Sequence, residues 1–110
     1  MSKFDSYLKD SEAFFSLCLE IMKNKNNDYA DTDDVFYNFK ETAKIAGIKP
    51  SQVVLVQLGN KLARLNQLIG KDKEPLNEAL SDTLLDIINY TLLLRGILNE
   101  QKTENVTKSN

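Results

Sequence analysis

The sequence predicts an all-α fold, a four-helix bundle, from the spacing of its apolar residues. These residues recur at helical intervals in four stretches of the 110-residue chain, and no stretch shows the alternation typical of a strand. With 42% hydrophobic and 27% charged residues, the composition is that of a globular protein with the length of one domain. We therefore predict one helical domain over residues 1–100 and a disordered tail over residues 101–110.

The first predicted helix covers residues 11–23, with a start that could lie a few residues earlier. A loop rich in Asn and Asp follows over residues 24–34, because these side chains favour turns over helix interiors. Capping and turn formation explain most of its acidic residues. Three residues of the loop are candidate ligand contacts. Lys25 and Asp28 are polar contacts, and Tyr29 is a ring that stacks on a base while Lys25 reaches a phosphate.

The second predicted helix covers residues 35–46. Asp33 or Asp34 is suited to cap its positive N-terminal end, since either carboxylate accepts hydrogen bonds from the first turn. Gly47 supplies the left-handed residue that ends many helices. The spacing thus predicts a short helix with a defined start and end.

The third and fourth predicted helices carry most of the apolar residues. Ser51 is the expected cap of the third helix, and Gly70 is its expected end. The fourth begins at Pro75, which suits the first position of a helix, and ends near Asn99. Its apolar residues cover more than half of its circumference, which predicts a homo-oligomer with at least two copies.

Composition excludes several classes of function. The chain has no His and one Cys, which rules out His-dependent catalytic triads, the usual zinc sites and an internal disulfide. Its net charge of -2 disfavours nonspecific nucleic-acid binding. The longest apolar region falls short of the roughly 18 residues that a membrane span needs. We therefore expect a cytoplasmic protein with no membrane partner and no targeting segment.

The fourth helix carries an acidic line with no basic partner four residues along it. Ordinary solvated faces interleave acids with Lys or Arg at that spacing. Three explanations remain open for this line: a site for Mg²⁺ or for phosphate with a metal, a structural network of ion pairs, or a solvated face. The line consists of Glu78, Asp82, Asp86 and Asn89.

The third helix supplies the cations that suit either of the first two explanations. Lys61 and Arg64 lie at the border of its apolar face. They either pair with Glu78 or Asp82, or bind a phosphate, for which the planar guanidinium of Arg64 is well shaped.

The motifs in this order resemble a family, the nucleotide modification associated domain of phages and prophages. The resemblance covers roughly residues 14–94. Its most specific part is the segment in which Glu78 precedes Asp-Thr-Leu-Leu-Asp and then Asn-Tyr. The other matching runs are Lys-Asn-Asn-Asp-Tyr-Ala at 25–30, Asn-Phe-Lys at 38–40, Ala to Gly at 43–47 and Lys-Leu-Ala-Arg-Leu at 61–65.

That family is similar to the all-α nucleoside triphosphate pyrophosphatases of the MazG and dimeric dUTPase type. In those proteins acidic motifs on a helical bundle bind Mg²⁺. The resemblance matches Asp82 to the Asp of a Glu-x-x-Asp motif and Asn89 to an Asn further along. The Glu of that motif falls on Ala79, beside Glu78, and the first Glu-rich motif is absent, with Glu20 as a substitute on helix one.

The resemblance implies a phage-type nucleotide-binding protein, in the host cytoplasm if phage-encoded. The implied activity is Mg-dependent pyrophosphohydrolysis of a nucleoside or deoxynucleoside triphosphate. The candidate catalytic residues are Glu78 and Asp82. The candidate metal ligands are Glu20, Glu78, Asp82 and Asp86, and the candidate substrate contacts are Lys25, Asp28, Tyr29, Lys61, Arg64 and Asn89. Two alternatives stay open: a protein that sequesters a nucleotide or signalling molecule without turnover, and a helical interaction module without a ligand.

Overall fold

Most of the part of the chain that the structure describes is helical. This computed structural model describes residues 2–28, 34–70 and 78–109. These residues form four α-helices and no strand, which confirms the all-α prediction. No helix within them is long and apolar enough to cross a membrane. The helices are α1 (Lys3–Asp28), α2 (Tyr37–Ala46), α3 (Pro50–Ile69) and α4 (Glu78–Ser109).

The chain divides into two compact units. Met1–Asp33 contains α1, and Asp34–Asn110 contains the other three helices. In the second unit α3 packs against α4, and α2 packs against α3. The single domain and the four-helix arrangement remain predictions. The buried apolar residues of the second unit include Ala43, Val53, Val54, Leu85 and Ile97.

Helix α1 is longer at both ends than the predicted 11–23. At its start the Ser2 hydroxyl donates to Asp5 Oδ2 at 2.8 Å, and the Asp5 backbone N–H donates to Ser2 Oγ at 3.0 Å. This reciprocal cap fixes the first turn. The helix also continues through the Asn-rich residues expected to form a loop, because Asn and Asp weaken a helix only slightly and Lys25 complements its C-terminal dipole.

Cys18 is buried, although most of the described side chains of α1 are exposed. Burial raises the pKa of its thiol, while a backbone hydrogen bond works in the opposite direction. The thiol therefore stays protonated and unreactive at neutral pH.

Helix α2 begins two residues later than predicted and its N-cap residue is Phe36, so the cap expected from Asp34 is wrong, and Asp33 lies outside the described residues. The Asp34 carboxylate accepts the Phe36 backbone N–H at 2.9 Å, which forms a turn leading into the helix. The predicted end is confirmed. Gly47 has a φ of 72°, and the N–H groups of Gly47 and Ile48 both donate to the Ala43 carbonyl.

Helix α3 begins before Ser51, so the predicted cap is wrong. Lys49 occupies the N-cap position in an extended conformation, and Pro50 is the first helical residue. Proline explains the difference, because it favours the first helical position and forces the residue before it to be extended. The Gln52 side chain accepts the Lys49 backbone N–H at 2.9 Å, and Gly70 follows the last residue as predicted.

Helix α4 continues to Ser109, past the end predicted near Asn99. Glu, Gln and Lys dominate the residues directly after Asn99, and these residues favour helices even where they bury nothing. A segment with few apolar residues is expected to be exposed. The prediction wrongly treated this expected exposure as a sign that the segment is not helical. The predicted start at Pro75 lies outside the described residues.

A set of contacts, which we call the α2 clamp, joins the beginning of α2 to α4. Phe36 lies so close to Gly96 that a Cβ atom there would be 2.7 Å from Phe36 Cζ. Lys40 Nζ donates to Asp34 Oδ2 at 2.6 Å and also to the Glu100 carboxylate. Gly96 and Glu100 are four residues apart, so the two contacts lie one turn apart on the same side of α4.

The close approach at Gly96 predicts that any side chain there is unfavourable. Gly96→Ala should lower the free energy of unfolding by about 1 kcal/mol, because overpacking against Phe36 outweighs the helix propensity that alanine adds. In a Phe36→Ala background the same change should instead raise it by about 1 kcal/mol. Urea denaturation of the four proteins measures both effects. Stabilisation by Gly96→Ala in both backgrounds would contradict the contact.

The α2 clamp also predicts a pH-dependent contribution to stability. The hydrogen bond from Lys40, together with the Phe36 N–H, lowers the pKa of Asp34 from its usual 3.8. The hydrogen bonds that the Lys40 amine donates to Asp34 and Glu100 raise its pKa above the usual 10.5. The stabilisation from Asp34 is therefore lost as the pH falls through the lowered carboxyl pKa, and that from Lys40 is lost as the pH rises through the raised amine pKa.

Lys40→Met is expected to lower the free energy of unfolding by about 1 kcal/mol at pH 7, the upper value for partly exposed ion pairs. The difference between parent and variant should begin to shrink below the usual carboxyl pKa of 3.8 and disappear as the pH falls through the lowered pKa of Asp34 in the folded protein. Lys44→Met is the matched control, since its pair with Glu41 is more exposed and longer, at 3.2 Å. Denaturation at neutral and acidic pH checks this. An equal loss from both variants, or one that persists in acid, would contradict it.

Candidate functional site

The polar line of α4 passes from solvent into the interior of the second unit. Asp82 is exposed, Asp86 is half-buried, and Asn89 is only 8% exposed. The three residues are spaced four and three apart, so they lie one turn after another on one side of the helix. We call the region where this line meets α3 the α3–α4 seam.

Lys61 of α3 forms an ion pair in the middle of this seam. Its Nζ lies 2.9 Å from Asp86 Oδ2, and the side chains are 31% and 27% exposed. The structural explanation of the acidic line expected Lys61 to pair with Glu78 or Asp82. The cation predicted for that network is present, but its carboxylate is Asp86, because the pairing depends on how α3 is placed along α4.

Arg64 lies three residues after Lys61, on the exposed part of α3. Within the described residues no carboxylate forms an ion pair with it, and the same holds for Asp82 as an acceptor. Arg64 and Asp82 are therefore an exposed cation and an exposed carboxylate, each without an ion pair in the described part of the chain.

Asn89 carries the most costly feature of the seam. Its amide nitrogen and its amide oxygen are both buried, and neither has a hydrogen-bond partner among the described residues. Burying an unsatisfied polar group costs about 1–3 kcal/mol, so each such group in a native protein needs an explanation. Thr83 shows the usual solution on the same helix, since its buried hydroxyl donates to the Ala79 carbonyl at 2.7 Å.

The other predicted site residues are not brought together by the described structure. Glu20 and Lys25 are exposed on α1, in the first unit. Glu78 starts α4 one turn before Asp82, and Asp28 ends α1. The side chains of Asp28 and Glu78, and the whole of Tyr29, lie outside the described residues. Within the described part, no three His, Cys, Asp or Glu residues are grouped closely enough to hold a metal ion.

The burial of Asn89 could be predicted from its neighbours, but its lack of a hydrogen-bond partner could not. Leu85 and Leu93, four residues before and after it, are apolar and place it on a packed face. The unsatisfied amide depends on which side chains of the facing helix come near it. A single sequence does not contain that information.

Comparison with known proteins identifies no family for this chain. No protein-family model matches it, and no curated protein or solved structure matches it. The function therefore has to be argued from the geometry of the seam.

Asn89→Leu is expected to raise the free energy of unfolding by about 1–2 kcal/mol, because it removes two unsatisfied polar atoms and keeps a similar volume. Thr83→Val is the matched control, since it removes a buried polar atom that does have a partner. That change should be neutral or destabilising by up to about 1 kcal/mol. Denaturant melts of the three proteins measure this. A loss of stability in Asn89→Leu would show that the amide has a partner in solution.

Proposed function

We propose that the α3–α4 seam binds a nucleotide or a nucleotide-derived small molecule. The observation that carries this proposal is the buried, unpartnered amide of Asn89. An amide presents a donor and an acceptor side by side, which is the pattern that pairs with the edge of a nucleobase. A ligand with that pattern would satisfy both atoms at once and would account for their cost.

The charged groups beside Asn89 fit the rest of such a ligand. Lys61 and Arg64 are cations on α3 that suit phosphate oxygens, and the guanidinium of Arg64 can bind two of them in parallel. Arg64 is exposed, so its guanidinium can reach phosphates that stay in water. The base would then point inward and the phosphates outward.

The acids of the seam fit Mg²⁺ bound together with phosphates. Mg²⁺ is commonly held by one or two carboxylates plus substrate phosphates and water, and Asp82 and Asp86 are one helical turn apart on the line. Asp86 would have to exchange Lys61 for the cation, which leaves Lys61 to contact a phosphate. When bound, Mg²⁺ supplies charge neutralisation of the phosphate oxygens.

Because Asn89 is buried, the seam has to open before a base can reach it. Neighbouring side chains of α3 and α4 would move apart, and this step adds a cost to binding. The proposal therefore includes a rearrangement of the seam on binding, with the unpaired amide as the group that gains most from it.

Two activities are compatible with this site. The first is Mg-dependent pyrophosphohydrolysis of a nucleoside or deoxynucleoside triphosphate, in which Glu78 and Asp82 would position and deprotonate water. The second is binding without turnover, as in a protein that sequesters a nucleotide or signalling molecule. The Lys61–Asp86 pair favours the second, because it occupies a carboxylate that hydrolysis would need for the metal.

A thermal-shift panel of nucleoside monophosphates, triphosphates and cyclic nucleotides, with and without Mg²⁺, tests the proposal. At a ligand concentration about a hundredfold above Kd, binding should stabilise the fold by about 2.7 kcal/mol. Asn89→Leu should abolish that shift although the variant without ligand is more stable. Asp82→Asn should abolish the part that depends on Mg²⁺, whereas Glu104→Gln, an exposed acid further along α4, should change neither.

A pyrophosphate-release assay on the same samples separates the two activities. Release that requires Asp82 supports hydrolysis, and stabilisation without release supports sequestration. The binding proposal is contradicted if no nucleotide in the panel stabilises the parent protein, or if Asn89→Leu keeps the full shift.

A further inference from the structure

The buried amide of Asn89 lies between two sets of contacts on one side of α4. Three residues before it, Asp86 pairs with Lys61 of α3 at 2.9 Å. Seven residues after it, Gly96 makes the close contact with Phe36 that belongs to the α2 clamp. Residues seven apart on a helix return to nearly the same face, so the clamp continues the side of α4 on which the amide lies. At 1.5 Å per residue, the amide is about 5 Å along the helix axis from the ion pair and about 10 Å from the clamp.

The α2 clamp restrains α3 as well as α2. Helix α2 packs against α3, and three residues separate the end of α2 from the start of α3. The first of them, Gly47, has a φ of 72°, and the N–H groups of Gly47 and Ile48 both donate to the Ala43 carbonyl. A connection this short, closed by two hydrogen bonds, keeps the two helices together. The contact of α2 with α4 therefore also limits how far the beginning of α3 can move away from α4.

Apolar burial contributes little to the position of α2. The helix lies wholly within the described residues, and Ala43 is the only one of its ten residues that is buried. Ile45, near its C-terminal end, is 88% exposed. The start of the helix is instead held by the clamp, in which the Lys40 amine donates to one carboxylate on each side. An element with few buried apolar residues opens at a lower free energy than the whole fold, so the clamp sets how often α2 leaves α4.

The proposed nucleotide binding requires the seam to open at the amide. Asn89 is only 8% exposed, and its amide has no hydrogen-bond partner among the described residues. A nucleotide with Mg²⁺ would exchange the Lys61–Asp86 pair, because phosphate and metal suit these two groups. The clamp contains none of the groups assigned to the ligand. It would therefore stay closed in the presence of ligand unless it opens by itself.

We propose that the α2 clamp regulates access to the α3–α4 seam. The Asn89 amide is buried while the clamp is closed and becomes reachable when α2 leaves α4. The identity of the ligand rests on the proposed function, whereas the control of access does not. When only a fraction of the molecules is open, the apparent affinity for a ligand is reduced by that fraction. Weakening the clamp therefore lowers the stability of the fold and raises its affinity for the ligand.

Thiol labelling in the absence of nucleotide tests the control of access. Asn89→Cys in a Cys18→Ala background places the only thiol at the buried position, and iodoacetamide modifies it when the seam opens. Lys40→Met should raise the labelling rate about fivefold, since it removes both ion pairs of the clamp. Lys44→Met is the matched control and should leave the rate unchanged, because its pair with Glu41 lies outside the clamp. Exchange of the Asn89 side-chain NH₂ protons with water gives the same readout in proteins that keep the native residue.

Urea separates an opening of the seam from unfolding of the whole protein. A local opening exposes little surface, so the labelling rate should hardly change at low urea, whereas a rate limited by global unfolding follows the full denaturant dependence. Equal labelling of the parent and Lys40→Met would overturn the proposal. An equal rise in Lys44→Met, or a rate with the urea dependence of global unfolding, would overturn it as well.

Nucleotide binding by proteins that keep Asn89 tests the regulatory consequence. In calorimetric titrations with ATP, GTP, CTP and UTP, each with Mg²⁺, Lys40→Met should bind about fivefold more tightly than the parent, and Lys44→Met should bind like the parent. Faster labelling of Lys40→Met with an unchanged affinity would overturn the regulatory role. No binding of any of the four would contradict the triphosphate activity proposed above, and the labelling rates would still support or overturn the control of access.

Discussion

The ion pair between Lys61 and Asp86 determines how the polar groups of the second unit are presented. It joins α3 to α4 at the middle of the acidic line, with a distance of 2.9 Å between Nζ and Oδ2. A half-exposed pair of this kind adds only about 1 kcal/mol or less to stability. It marks the point where the line enters the interior, since the carboxylate one turn before it is exposed and the amide three residues after it is buried.

The buried amide of Asn89 lowers the stability of the second unit, and the proposed binding role would account for this cost. The α2 clamp and the apolar core could form equally well around a leucine at this point, and the protein would be more stable. A buried polar group without a partner needs an explanation in a native protein, and a bound ligand is one such explanation. The nucleotide binding that we propose would account for this cost, since cations and acids that suit phosphates and Mg²⁺ lie on the same two helices.

Local patterns in the sequence predicted the helices and several of their ends, and interactions between helices were beyond them. Gly47 ends α2 as expected, because a left-handed residue is a property of a few neighbouring positions. The start of α3 was misplaced because proline outweighed the cap expected at Ser51. The acidic line was recognised, but its pairing with Lys61 was not, since the pairing depends on how two helices are placed and joins residues 25 positions apart in the chain. The contact between Phe36 and Gly96 was not predicted for the same reason, because no local pattern indicates it.

The claim on which the functional account depends most is that the Asn89 amide receives a ligand. Nuclear magnetic resonance of the Asn89 side-chain NH₂ group, with increasing nucleotide in the presence of Mg²⁺, tests this directly. The account predicts that its two proton signals shift as the nucleotide saturates the site, because the amide gains its first hydrogen-bond partners. Signals that stay unchanged while a nucleotide binds elsewhere on the protein, or at saturating concentrations of every nucleotide, would contradict it.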